Sequence, residues 1–113
     1  MKLLNKLSQW VSESTFEGLP SMAIEKSKEC IKDVCGVTIA GSRHPSMNII
    51  REYIEYHSVP GSCCLIGTKD LAGAPTAAFA NAFAAHVWDF DDTCYAGIVH
   101  PSAILFPTVL ALG

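Results

Sequence analysis

The sequence predicts an all-α fold of about five helices. Apolar residues recur at helical spacing in one stretch after another, and prolines stand where successive stretches begin. Only "CCLIG", at 63–67, reads as a short extended segment.

The first helix is expected over residues 2–12, with an apolar stripe at Leu3, Leu7, Trp10 and Val11, and "STFEGLP" breaks it. The second starts at Pro20 or Ser21, since proline lacks an N–H that the first helical turn leaves unpaired anyway. Its inward face is expected to carry Ile24, Ile31, Val34 and Cys35, and Gly41 ends it. A third helix follows over 45–57 with Met47, Ile50 and Ile54 inward. The "CCLIG" run must pair with another segment or cross the core, because a lone strand is not stable; "TKDLAGAP" reads as loop. The fourth helix is expected over 75–93. At roughly 100° per residue, Phe79, Phe83, His86 and Phe90 share one face, and Ala77, Ala80, Ala84, Val87 and Trp88 lie opposite. A helix apolar all round is a buried one. The last helix begins at Pro101 or Ser102, and Pro107 is expected to kink or restart it.

Composition narrows the class of function. The chain has 113 residues, a net charge of −3 and no basic block, so it lacks the electrostatic footprint of nucleic-acid binding. No run approaches the length of a membrane span, and the N-terminal leucines are spaced as an amphipathic helix, not as a signal peptide. Five cysteines without secretory features read as reduced thiols in a cytoplasmic protein. Half the residues are hydrophobic and 17% are charged, against an average of about 25% charged in globular domains. A short chain has more surface to cover, so this one is expected to be part of something larger or half of an obligate oligomer.

The stretch "HVWDFDDTCYAGIVHPS" concentrates the chemistry. With the fourth helix running to Thr93, Asp89 and Thr93 stack on one face, His86 belongs to the same side, and Asp91 points elsewhere. Asp89 is then the acid expected inward, and His100 from the following loop closes a polar pocket. Histidine titrates near neutral pH and can give or take a proton, and a carboxylate can orient it. The structural alternative has Asp89 and Asp92 bonded to loop amides and His100 packed before its proline. Spacing by itself favours the structural alternative, and acids at a helix C-terminus, which oppose the macrodipole, tilt slightly toward a site. Asp89, Asp92 and His100 are also a conceivable metal-ligand set, although no motif of defined spacing supports it. His44 reads as a solvated loop residue, and Cys63 and Cys64 as buried thiols.

The segments "LPSMAIEKSKECIKDVCGVTIAGS" (19–42), "AAFANAFAAHVWDFDDT" (77–93) and "HPSAILFPTVLALG" (100–113) resemble, in order, the N-terminal part of the MmgE/PrpD family. That family includes 2-methylcitrate dehydratase, cis-aconitate decarboxylase and iminodisuccinate epimerase. The resemblance implies a large all-helical domain, a smaller α+β lid domain inserted later in the chain, and a homodimer. It implies proton transfer next to a carboxylate of a small di- or tricarboxylate, giving dehydration, decarboxylation or epimerisation, with no metal and no other cofactor. By motif match, the family's pocket aspartate and threonine fall on Asp89 and Thr93 and its pocket histidine on His100. His86 joins Thr93 as a candidate substrate-binding residue, beside His100 and Asp89 as candidate catalytic ones. The family's second histidine and its carboxylate-holding lysines are expected beyond residue 113, as is the lid. Residues 1–113 are thus expected to be a partial helical domain that is inactive in isolation. Two other expectations stand beside it: a non-enzymatic helical remnant that self-associates, and a metal-dependent hydrolase.

Overall fold

The computed structural model describes residues 2–113, and they form five α-helices and one two-stranded hairpin. Helix α1 spans Lys2–Glu13, α2 Ser21–Gly41, α3 Met47–His57, α4 Ala74–His86 and α5 Pro101–Leu112. Strands β1 (Cys63–Cys64) and β2 (Leu71–Ala72) pair antiparallel, with Cys63 opposite Ala72 and Cys64 opposite Leu71. The expected all-α class holds. The extended run finds its partner in Leu71–Ala72, inside a segment that reads as loop. Two residues are too few to display an alternating pattern.

Helix α4 lies between α2 and α5 and is the centre of the fold. Its alanines face two small cores. Ala77, Ala80 and Ala84 meet Met47, Ile50, Leu65 and Ala72, while Ala85 meets Val34 and Ala103. Small side chains let the helix backbones approach closely. The approach is tightest where α2 ends, since a Cβ added at Gly41 would collide with the Ala84 carbonyl oxygen. Gly41 therefore ends α2 as anticipated, but what demands glycine there is the crossing helix. Asn81 ties the hairpin to α4: its side chain accepts the Ile66 N–H at 2.8 Å and donates to the Cys64 carbonyl at 3.0 Å. Both amide groups of a buried Asn81 are thereby satisfied.

Two expectations about burial need correction, and α1 leaves its apolar stripe uncovered. In α2, Val34 is fully buried, but Ile31 is 45% exposed, and Thr38 and Gly41 complete the buried face. In α4, only the alanine side is buried; Phe79 is 50% exposed and Phe90 lies beyond the helix. In α1, the stripe of Leu3, Leu7, Trp10 and Val11 forms as spaced, yet every residue of that helix is exposed. Helix α5 runs through a buried Pro107 as one element without restarting. Among the described residues no helix is long and apolar enough to cross a membrane.

Candidate active site

Helix α4 stops at His86, a full two turns before the expected end at Thr93. The cause is Asp89, whose φ of 53° lies in the left-handed region. Aspartate enters that region more readily than most residues, because its short polar side chain bonds locally. The Asp89 N–H donates to the His86 carbonyl at 2.8 Å, closing a turn that folds the chain back over the helix end.

This reversal reassigns the three acids. Asp91, expected to point away, is the buried one, with its side chain 1% exposed. It receives His86 Nδ1 at 2.9 Å on Oδ1 and 3.2 Å on Oδ2. His100 Nδ1 lies 3.3 Å from Asp91 Oδ2 but out of line for a hydrogen bond, so this buried nitrogen has no hydrogen-bond partner. Asp89, expected inward, has a side chain 78% exposed, with one oxygen 3.8 Å from His100 Nε2. Thr93 is exposed and lies outside any helix, so it does not stack on Asp89. The face shared by Asp89 and Thr93 is thus not present. Its premise was an unbroken helix, and the left-handed residue removes it.

Asp92 has a structural task. Its carboxylate accepts the Ser102 N–H at 3.0 Å and the Ser102 hydroxyl at 2.8 Å. His100 occupies the N-cap position of α5 without a side-chain capping bond, and Pro101 is the first helical residue. Asp92 therefore caps α5 from ten residues away, where negative charge also suits the helix dipole. With both oxygens committed there, Asp92 is not brought together with Asp89 and His100, and that metal-ligand set does not form.

The loop between is closed at its neck by a bridge of Cys94 and Val99, with the Cys94 N–H donating to the Val99 carbonyl at 2.8 Å. Ile98 is the other non-glycine residue at positive φ, at 50°. A β-branched residue is strained there, and the strain sits one position before the bridge that delivers His100. The His86 and His100 rings end 4.5 Å apart between centroids. They stand at the rim of an open cavity of about 470 Å³ whose other walls include Phe79, Phe83, Val99 and Ile104. Two imidazoles flanking one buried carboxylate beside an apolar hollow can fix a tautomer and pass a proton to a molecule lodged there.

Sequence reasoning found His86, Asp89 and His100, which do meet, and missed Asp91. The available signal was the aspartate at 89, a residue type that tolerates the left-handed turn. Outside the site, His44 is not simply solvated: its ring packs edge-on against Trp88 at 4.6 Å. Cys63 is half-buried and donates to the Ala111 carbonyl at 3.3 Å, whereas Cys64 is exposed. Burial pushes the Cys35 thiol up from its ordinary pKa.

The profile of the MmgE/PrpD N-terminal domain matches residues 5–113. Cis-aconitate decarboxylase of Homo sapiens is 35% identical over 95 residues, covering 83% of this chain and 20% of that protein. Cis-aconitate decarboxylase of Mus musculus is 36% identical over 90 residues, covering 79% of this chain and 18% of that protein. The chain thus spans about a fifth of the length of the curated relatives it matches. No solved structure matches it. The match across all of α2 to α5, with the two histidines and three acids inside it, means that this chain belongs to the MmgE/PrpD family.

Proposed function

We propose that the chain supplies one wall of the active site of a lyase of the cis-aconitate decarboxylase kind, acting on a small di- or tricarboxylate by proton transfer next to a carboxylate. The observation that carries this reading is the buried Asp91 carboxylate, bonded to His86 and 3.3 Å from His100 at the rim of the cavity. In this reading His100 is the general acid/base and Asp91 positions both imidazoles. Asp89, close to His100 Nε2 and open to solvent, orients the substrate. His86 and Thr93 bind substrate polar groups. The chemistry needs no metal and no other cofactor: a positioned histidine moves the proton, and a cationic wall holds the product charge.

That cationic wall is not among the described residues, where the site offers two histidines beside acids. A carboxylate substrate calls for lysines or arginines, and we place them, with a further histidine and a lid, in further chain. The 113 residues alone are then inactive, because orientation and charge stabilisation supply most of the rate. The assembly is a cytoplasmic homodimer. The exposed leucines and tryptophan of α1 suit self-association, and they would suit a non-enzymatic helical module equally, so turnover is what separates the two.

The test is turnover of cis-aconitate, methylcitrate and iminodisuccinate by the complete protein carrying this sequence. His100→Ala should lower kcat by about 10²- to 10⁴-fold, the usual worth of a positioned acid/base, and His86→Ala by far less. Equal losses, or none at His100, would remove His100 from the role. Absence of turnover on all three carboxylates would leave the helical module as the better description.

A further inference from the structure

Four side chains with metal-binding atoms converge at the end of α4. His86, Asp89, Asp91 and His100 each offer one ligand atom, and these atoms lie within 4.8 Å of one another. We propose that this cluster binds Zn²⁺ through two imidazoles and two carboxylates, and that the ion stops turnover instead of driving it. The inhibitory half of the proposal rests on the acid/base reading above; the binding half does not.

The chemistry of the set favours a borderline-soft cation. Imidazole nitrogen suits zinc and is a poor ligand for magnesium or calcium. Two carboxylates balance the charge of a divalent ion. At Zn–N and Zn–O distances of about 2.0–2.2 Å, tetrahedral ligands lie roughly 3.4 Å apart. The Asp91 contacts to His86 and His100, at 2.9 and 3.3 Å, already have that scale. Asp89 lies 3.8 Å from Nε2 of His100 and not from the Nδ1 that faces Asp91, so this exposed carboxylate must turn, and the four ligand atoms, which lie within 4.8 Å of one another, must draw in by up to roughly 1.4 Å. A second observation points the same way: the buried Nδ1 of His100 has no hydrogen-bond partner. That leaves a desolvated nitrogen facing the carboxylate of Asp91 with its valence unspent, and a cation between the two would satisfy both. The exposed sides of His86 and Asp89 give the ion a way in. An ion seated there would occupy the nitrogen lone pairs that proton transfer needs.

The experiment uses Co²⁺ as a spectroscopic stand-in for Zn²⁺, followed by Zn²⁺ displacement, on the 113-residue chain without substrate. A tetrahedral d–d band should appear, without the thiolate-to-cobalt charge-transfer band that the exposed Cys64 or Cys94 would produce. Asp89→Asn alters an exposed side chain, and His86→Gln keeps an N–H donor for the buried Asp91 carboxylate, so the helical circular dichroism should be unchanged while affinity falls. The fall should be at least the roughly 10- to 100-fold that outer-shell partners of a metal are worth. Binding that survives both substitutions, or that vanishes in Cys64→Ser/Cys94→Ser, overturns the site. In the complete protein, micromolar Zn²⁺ should suppress turnover reversibly, with EDTA restoring it. Zinc binding without suppression would overturn the inhibitory half alone. Absence of any turnover would count against the acid/base reading and leave the binding result standing.

Discussion

The middle of α4 and the segment that follows it, residues 87–100, are held by opposite means. The helix is packed on two sides by alanines against α2, α5 and the hairpin, and its position is set by volume. The segment buries little: Trp88, Phe90, Tyr95 and Ile98 are all at least half exposed. It is held instead by Asp91 on His86, Asp92 on Ser102, and the Cys94–Val99 bridge, around two residues at positive φ. Close packing tolerates no added atom, whereas single polar ties contribute about 1 kcal/mol each. The region that fixes the fold and the region that carries the chemistry are therefore separable, and substitutions should sort accordingly.

The largest effect should come from the packed half. Gly41→Ala places a methyl group against the Ala84 carbonyl, so the helices must part, at a cost of about 3 kcal/mol or more. Urea unfolding followed by far-ultraviolet circular dichroism measures it. A loss below about 1 kcal/mol would mean that the backbones have room to spare, and the contrast would collapse. In the tied half, Asp92→Ala should cost about 1 kcal/mol, the worth of an N-cap, and Asp92→Asn much less. If alanine and asparagine cost the same, charge at the start of α5 matters more than the hydrogen bonds. The smallest effect should be a gain. Ile98→Asn relieves a β-branched residue at φ 50° and should raise stability by up to about 1 kcal/mol. A lowered unfolding midpoint would show that the Ile98 contribution to the cavity wall outweighs its backbone strain.

This contrast also governs what could be read from the chain. Helices α2 to α5 were legible because proline starts, glycine ends and 3.6-residue spacing are local signals, and α3 buries Met47 and Ile50 as spaced. What α1 packs against was not legible, since periodicity reports a helix and not its partner. At the site, His86, Asp89 and His100 were recognisable as residue types in a suggestive stretch. Their arrangement was not, because it turns on one dihedral. With Asp89 in the helical region, Asp91 would project roughly 140° around the helix from His86; with Asp89 left-handed, it returns to bond that histidine. A glycine there would have announced the turn. An aspartate allows it silently.

The neck at Cys94 and Val99 has a consequence for how such a chain can diversify. Both flanks of the loop are anchored below it, by Asp91 and Asp92 on one side and by the start of α5 on the other. The exposed tip between them, Tyr95 to Ile98, hangs outside that anchorage. Its length is decoupled from the register of His100. Residues can be added, dropped or labelled at the tip while the imidazole keeps its address, which makes this loop a place where neighbouring surfaces can be rewritten without retuning the chemistry beneath.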